Sequence, residues 1–153
     1  RDTVGKDFRR SRSAAENIIP NTTPTPHWIE NIMPEFKGRI EGTALNVPVP
    51  AGSLLDLTTF MKTSDFTKED VNKAIEEASK KYPHIIEVVD DPIVSRDVIS
   101  NRHSVVFDKQ ATMKSKGNML KTLSWYHSTL SMAARMKEVI LAYNDLNKKG
   151  GEK

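Results

Sequence analysis

The chain has 153 residues, with 23 lysines and arginines against 20 aspartates and glutamates, a net charge of +3 and no cysteine. A single domain of this length buries roughly 70% of the surface that its unfolded chain exposes, and so nearly balanced a charge is no argument for nucleic-acid binding by itself. The missing cysteines exclude disulfides, thiolate metal sites and a thiol nucleophile from these residues, and no apolar run approaches the ~18 residues of a membrane span.

Residues 1–12 are predicted to form an exposed basic arm. Its basic side chains are Arg1, Lys6, Arg9, Arg10 and Arg12. Only Val4 and Phe8 are available to anchor the segment, which favours a loop over a packed element. The arm could contact the phosphates of a nucleic acid or another polyanion, but Phe8 is its only aromatic residue for stacking on bases. Nucleic acid therefore stays an open and weakly supported partner.

The next segment predicts a short helix and two strands. The helix begins near Pro26, because proline is tolerated in a first turn, and it ends at Pro34. The segments RIEGTALNV (39–47) and SLLDLTT (53–59) are predicted to be extended. The proline- and glycine-containing stretch VPVPAG connects them.

The clearest predicted element is a helix that begins after Thr67. Thr67 and Asp70 have the spacing of a capping box. Apolar residues then recur at helical spacing, at Val71, Ala74, Ile75 and Ala78. The dipeptide Tyr82-Pro83 is expected to end this helix.

Three more strands and a final helix complete the pattern. Segments 85–89, 104–108 and 118–126 are rich in β-branched, aromatic and other apolar residues, and turn formers separate them. From about residue 129 to residue 146 an apolar stripe predicts an amphipathic helix. The stripe consists of Met132, Met136, Val139, Tyr143 and Leu146. We interpret Met132 and Met136 as side chains that fill the core.

These elements predict an α+β fold. Strands separated by helices of unequal length, without an internal repeat, favour a largely antiparallel or mixed sheet with helices on one face. We expect the basic arm at 1–12, the folded domain at 13–146 and a polar tail at 147–153.

No catalytic or metal-binding constellation stands out. The four histidines lack the spacing of metal ligands, so each is expected to be a surface or packing residue; they are His27, His84, His103 and His127. No glycine-rich nucleotide motif or nucleophile elbow occurs. We therefore predict no catalytic residue, no metal and no cofactor for these residues.

The order of several segments nevertheless resembles that of a known family. The segments are KDFRRSRSAAENIIPNTT, MPEFKGRIEGTALNVPVP, LLDL, VSRD and LSWY, the last followed by a helix that contains Arg135. Together they resemble the C-terminal, catalytic domain of phosphorylating glyceraldehyde-3-phosphate dehydrogenases, from about Lys6 to Leu146. The family implies an upstream NAD-binding Rossmann domain and an upstream cysteine nucleophile with its histidine, so neither is expected within these residues.

The resemblance also implies two anion sites, and both depart from the family pattern here. Arg10 and Thr23 match the side chains of the inorganic-phosphate site, but Pro24 replaces a glycine whose N–H takes part. In the substrate-phosphate site the family has the arginine of an R-V-P-T-P segment. Asn46 occupies that position in this chain, so the positive charge is lost.

A third departure lies where the last strand meets the last helix. The family pattern is S-W-Y-D-N-E-x-G-Y-S-x-R, in which the asparagine holds the nicotinamide carboxamide and the second tyrosine packs near the ring. Ser128 and Met132 occupy these two positions, whereas Trp125, Tyr126 and Arg135 match the pattern and are interpreted as supporting the fold.

The sequence therefore favours a non-catalytic, dehydrogenase-derived structural or interaction subunit of a larger protein assembly or homo-oligomer. The alternative is a C-terminal fragment or split half of an NAD-dependent dehydrogenase. We expect an intracellular protein without a membrane span, and the choice between mitochondrial, other organellar and cytoplasmic locations stays open.

Overall fold

A computed structural model describes residues 5–150, with side chains through residue 148. The chain divides into two compact units, Arg1–Pro50 and Ala51–Lys153. The predicted boundaries at residues 12 and 146 separate an arm and a tail from the folded domain instead of dividing that domain, and they stay predictions. Of the predicted arm, residues 5–12 are described: they form turns, and their side chains are exposed except for the half-buried Ser11.

The first unit contains a small two-stranded sheet and one helix. Strand β1 (Ile19–Asn21) pairs antiparallel with β2 (Ala44–Asn46), and helix α1 (Thr25–Ile32) lies between them in the sequence. A 3-10 turn, Pro34–Phe36, follows the helix, so the predicted helix with a proline near each end is confirmed. Strand β1 was not predicted because Pro20 is its central residue. Proline is tolerated there because β1 pairs along one edge only.

The second unit is built on a four-stranded mixed sheet with the strand order β3-β6-β5-β4. The strands are β3 (Ser53–Phe60), β4 (Ile86–Val89), β5 (Val105–Lys114) and β6 (Met119–Tyr126). Strand β6 is antiparallel to both neighbours, whereas β4 and β5 are parallel. The predicted α+β class with a largely antiparallel or mixed sheet is confirmed.

The connection before β3 depends on one glycine. Gly52 has φ of 85°, a left-handed conformation that side chains other than glycine rarely adopt. A Cβ atom at this position would lie 1.9 Å from the carbonyl oxygen of Ser95. The turn into β3 therefore requires glycine for both its backbone angle and its close approach to Ser95.

Helix α2 (Lys68–Lys81) packs against β4 and β5. Asn72 links it to an irregular part of β5: its Nδ2 donates to the Lys109 carbonyl at 3.2 Å, and its Oδ1 accepts from the Thr112 hydroxyl at 2.7 Å. The pairing of β5 with β6 shifts register between Asp108 and Met113, so these bonds satisfy backbone and side-chain groups where the strand pairing is interrupted.

The apolar core of the second unit lies around β5 and β6. Its buried apolar side chains are Val98, Val106, Phe107 and Leu120. Asp108 of β5 is also buried, and its carboxylate accepts hydrogen bonds from the Trp125 ring nitrogen at 3.3 Å and from the Ala111 backbone N–H at 3.1 Å. These bonds compensate the cost of removing the carboxylate from water.

The exposure of helix α3 (Ser128–Gly150) contradicts one prediction about the core. Its first turns are held by Arg135, but its apolar stripe is exposed, with Met132 at 62% and Met136 at 59% of full accessibility. The interpretation of these two methionines as core-filling was wrong. Helical spacing identifies an apolar side of a helix but not what covers it, and the described part of the chain supplies no cover. The helix also continues to Gly150, four residues past its predicted end at Leu146, and residues 151–153 of the predicted tail lie outside the described residues.

Candidate ligand-contact positions

Arg10, the predicted phosphate ligand of the first unit, lies in a turn organised by Asp7. The Asp7 carboxylate accepts the backbone N–H groups of Arg9 at 3.0 Å and Arg10 at 3.2 Å, and the Ser11 hydroxyl donates to the Asp7 carbonyl. The Arg10 side chain is exposed and has no hydrogen bond or ion pair within residues 5–148. Its guanidinium is therefore free to meet an anion.

Thr23 and Pro24 lie at the start of α1. The Thr23 hydroxyl is 2.8 Å from that of Thr25 and accepts the Thr25 N–H at 3.3 Å, so it is already used within the turn. Pro24 is the N-cap residue of α1, and Pro26 follows within the first turn. Because neither proline has an N–H, this helix start lacks two of the backbone donors that bind anions at other helices.

The structure brings Thr23 and Pro24 together at one helix start, but it does not join Arg10 to them. No hydrogen bond links Arg10 to Thr23 in the described part of the chain. Asn46, at the end of β2 opposite Ile19, is exposed and uncharged. The assignment of Arg10 and Thr23 as relics of a phosphate site therefore stays a prediction, as does the loss of a phosphate contact at Asn46.

Ser128 and Met132 lie in the first turns of α3, and both are exposed. A serine hydroxyl is shorter than an asparagine side chain and cannot offer a paired amide donor and acceptor to a carboxamide. Methionine likewise lacks the aromatic ring that the resemblance implies beside nicotinamide. The residues at these two positions therefore lack the amide and the ring that the resemblance implies there, and the loss of nicotinamide contacts stays a prediction.

His127 has a role that its sequence context did not reveal. Its Nδ1 accepts the backbone N–H of Leu130 at 3.3 Å, and its carbonyl accepts the N–H of Ser131 at 3.0 Å. His127 therefore caps the start of α3, where the family pattern has an aspartate. Its position just before the predicted helix was the available signal, but histidine is not among the preferred capping residues.

Trp125 and Arg135 support the fold, as the resemblance implies. Trp125 donates to the buried Asp108 in the sheet. One terminal nitrogen of Arg135 donates to the His84 carbonyl and, at 3.3 Å, to the Ser104 hydroxyl, while the other lies 2.7 Å from Glu138. Arg135 thus ties α3 to the loops on either side of β4.

The histidines of the described chain are not gathered into a metal site. Among the described residues no three histidine or acidic side chains are arranged to hold a metal ion. His103 instead contacts Asn101 at 2.9 Å and Glu87 at 3.2 Å. None of the helices in the described ranges is both long and apolar enough to cross a membrane.

Comparison with known proteins shows relatives over most of the chain. A family model described as the C-terminal domain of glyceraldehyde 3-phosphate dehydrogenase matches residues 1–128. The chain is 38% identical over 140 residues to glyceraldehyde-3-phosphate dehydrogenase of Borreliella burgdorferi, covering 90% of this chain and 42% of that protein. Against glyceraldehyde-3-phosphate dehydrogenase 2 of Bacillus subtilis it is 39% identical over 140 residues, covering 91% and 41%.

The enzyme of Priestia megaterium gives the same picture, with 38% identity over 139 residues that cover 90% of this chain and 41% of the enzyme. The chain thus spans about two fifths of the length of the curated relatives that it matches. Since the family model covers residues 1–128 and the mixed α+β fold agrees with it, the chain belongs to the family of glyceraldehyde-3-phosphate dehydrogenase C-terminal domains.

Proposed function

We propose that this domain is a non-catalytic, dehydrogenase-derived subunit that works through protein–protein contacts in a larger assembly. The observation that carries the proposal is the exposed apolar side of α3. Its exposed members are Met132, Met136, Val139, Tyr143 and Leu146, each more than half accessible. A contiguous apolar patch of this kind marks an interaction surface, because a protein that stays alone in water rarely leaves one uncovered.

The chemistry of the ligand-contact positions supports the non-catalytic part of the proposal. Pro24 removes a backbone donor, Asn46 lacks the charge of the family arginine, and Ser128 lacks the family amide. A hydrogen bond to a charged group contributes about 1.5–3 kcal/mol, so the arginine alone accounts for one to two powers of ten in affinity. In addition, the 153 residues contain no cysteine to form a thioester.

A second candidate is a C-terminal part of an NAD-dependent dehydrogenase, joined to or bound by a nucleotide-binding half. The observation that favours it is the coverage of the relatives, since the matched part of each is only about two fifths of its length. The apolar side of α3 would then be covered by that other half. The altered positions at Asn46 and Ser128 count against this candidate unless its substrate differs from that of the relatives.

Assembly is tested by native purification from the source with mass spectrometry of the intact particles. We expect the chain, whose 153 residues have a mass of 17.2 kDa, to be recovered in stoichiometric complex with other protein subunits. Met136→Glu should release it, because the substitution places a charge within the apolar stripe. Leu141→Glu is the matched control: Leu141 is 50% exposed but lies about 140° around the same helix from Met136.

Recovery of the free chain alone would contradict the assembly proposal. Equal behaviour of the two variants would contradict the role of the apolar side of α3 in that assembly. Recovery together with a nucleotide-binding half that carries a reactive cysteine would instead support the second candidate.

Catalysis is tested in a chimera that joins the upstream part of glyceraldehyde-3-phosphate dehydrogenase 2 of Bacillus subtilis to this chain. We compare the natural sequence with a version carrying Pro24→Gly, Asn46→Arg, Ser128→Asn and Met132→Tyr. The natural version should have a kcat/KM lower by at least 10- to 100-fold, because each lost contact of this strength costs about one to two powers of ten. The same four changes in the 153-residue chain alone should give no turnover, since no thiol is present.

Equal activity of the two chimeras would contradict the proposal that the domain is non-catalytic. If neither chimera folds, the reverse substitutions in the Bacillus enzyme make the same comparison, and full activity of that variant has the same consequence.

A further inference from the structure

His103 has an oxygen atom within hydrogen-bond distance of each of its two ring nitrogens. Nδ1 lies 2.9 Å from Asn101 Oδ1 and 3.2 Å from an oxygen of the Glu87 carboxylate. Nε2 lies 3.1 Å from the Pro83 carbonyl oxygen. The ring is thus held between β4, the residues that precede β4 and the residues that precede β5.

These partners determine the protonation state that the ring needs. The backbone N–H of His103 donates to Asn101 Oδ1 at 2.9 Å, so this atom is the amide oxygen and can only accept. The Pro83 carbonyl likewise can only accept. Both ring nitrogens must therefore donate if both bonds are to form, and only the imidazolium form has a proton on each nitrogen.

Glu87 supplies the charge opposite to that imidazolium. Its carboxylate lies beside Nδ1 and also accepts the side-chain amide of Asn101, which agrees with the orientation of that amide. The side chains of His103 and Glu87 are 31% and 37% exposed, so water screens the pair only in part. A neutral ring would lose one of its two hydrogen bonds together with this charge attraction.

The residues before β5 adopt a conformation that needs such contacts. Ser100 has φ of 70°, a left-handed backbone conformation that residues with a side chain rarely adopt. Such a conformation persists only where the surrounding structure holds it in place. The hydrogen bonds of Asn101 and His103, which follow directly, hold this segment against β4 and Pro83.

The same two segments carry the hydrogen-bond acceptors of Arg135. Its guanidinium donates to the His84 carbonyl and, at 3.3 Å, to the Ser104 hydroxyl. These two residues directly follow Pro83 and His103 in the sequence. The bond between the His103 ring and the Pro83 carbonyl therefore fixes the spacing of the two groups that hold α3.

We propose that His103 is a pH-sensitive clamp that is closed when its ring is protonated and that positions the two acceptors of Arg135. Because the bound proton stabilises the closed form, the clamp is present at low pH. It opens as the pH rises through about 6 to 8, where histidine side chains lose their charge. The clamp lies wholly within the second unit and does not rest on the proposed function.

Other titratable and charged side chains face the same cleft as His103. They are His84 and Arg102 from the two segments and Arg135, Lys137 and Glu138 from α3. Of these, only His84 ordinarily changes its charge near neutral pH. The His84 ring has no hydrogen bond or ion pair within residues 5–148, so His84→Gln is a matched control for His103→Gln.

The first test is proton and nitrogen NMR of the two ring nitrogens of His103 in the unsubstituted chain. At about pH 6 each nitrogen should give its own N–H signal, because the imidazolium is protonated and both protons are hydrogen-bonded. The exposed ring of His84 should give none, since its protons exchange with water. An unprotonated His103 nitrogen at this pH, or ring protons that exchange as fast as those of His84, would overturn the clamp.

The second test is backbone hydrogen exchange at Asn101, His103 and Ser104, whose amides are all hydrogen-bonded. Protection factors remove the intrinsic pH dependence of exchange. Between about pH 6 and about pH 8.5 they should fall about fivefold in the unsubstituted chain, as expected for a partly exposed charged contact. The fall should disappear in His103→Gln and remain in His84→Gln.

The coupling to α3 is measured at one pH, because His127 caps this helix with an unprotonated nitrogen and gives α3 a pH dependence of its own. At about pH 6, His103→Gln should speed amide exchange in the first turns of α3. In an Arg135→Ala background the same substitution should have no further effect there.

Equal protection at both pH values, a fall that survives His103→Gln, or a fall that His84→Gln abolishes would each overturn the clamp. An effect of His103→Gln on α3 that is the same with and without Arg135 would overturn its coupling to that residue. If His103→Gln does not fold, the ring signals of the unsubstituted chain still decide whether the clamp exists.

Discussion

Thr67 and Asp70 fix the start of α2 through reciprocal hydrogen bonds. The Thr67 hydroxyl oxygen accepts the Asp70 N–H at 3.1 Å, and the Asp70 carboxylate accepts the Thr67 N–H at 2.8 Å. The hydroxyl of Thr67 also donates to that carboxylate. These bonds favour the charged form, so the side-chain and then the backbone hydrogen bond from Thr67 hold the pKa of Asp70 below its ordinary value.

Replacing Thr67 by alanine should lower the free energy of unfolding by about 1 kcal/mol at neutral pH, the usual cost of losing an N-cap. The pKa of Asp70 is lower in the folded chain than in the unfolded one. The contribution of the Asp70 carboxylate to the free energy of unfolding is therefore fully present above the ordinary aspartate pKa of about 3.9, and it is lost as the pH falls through the lower folded value. Urea unfolding at neutral and acidic pH measures this. The cost of Thr67→Ala should shrink on acidification, and Ser64→Ala, in the exposed preceding loop, should have no comparable effect at either pH.

Among the elements, those with local signals were predictable and those that depend on distant pairing were not. Helix α2 was predicted with its cap because Thr67, Asp70 and the apolar repeat all lie within a few turns of each other. Strand β1 was missed because three residues around Pro20 carry no strand pattern. The parallel pairing of β4 with β5 joins segments on either side of a long loop, and no local pattern specifies it.

The candidate site shows the same division. The sequence alone predicts which chemical groups are missing from the candidate site, because an N–H, a charge, an amide or a ring belongs to the residue type. The positions concerned are Pro24, Asn46, Ser128 and Met132. Whether Arg10 and Thr23 meet is a tertiary question. Helical spacing likewise predicted the apolar side of α3 but gave the wrong answer about its burial.

Arg135 is expected to hold α3 against the rest of the second unit. Its contacts with the His84 carbonyl and the Ser104 hydroxyl join the helix to both sides of β4, whereas the outer turns of α3 are exposed. In Arg135→Ala, backbone amides of α3 should exchange with solvent faster, while those of β5 and β6 keep their protection. Lys137→Ala, on the same helix without an ion pair in the described residues, is the control. Equal loss of protection in the sheet would mean that Arg135 supports the whole unit instead.

At the scale of the whole molecule, the two compact units differ in how much core they have. Buried apolar side chains of the second unit include Val98, Val106, Phe107 and Leu120. In the described part of the first unit only Ile19 is a buried apolar residue. All hydrogen-bonded strand pairs of the larger sheet also lie after Pro50. Stability is therefore expected to be concentrated in Ala51–Lys153.

A chain that begins at Ala51 should consequently fold and unfold cooperatively without residues 1–50. A domain of about 100 residues has an unfolding enthalpy of about 60–80 kcal/mol, which calorimetry detects as one transition. Phe107→Ala should destabilise this shortened chain and the full chain by the same amount, about 3–5 kcal/mol. The reason is that Phe107 belongs to the sheet of the second unit and is only 4% exposed. A broad transition without a heat-absorption peak, or a much smaller cost of Phe107→Ala in the shortened chain, would show that residues 1–50 contribute to the same core.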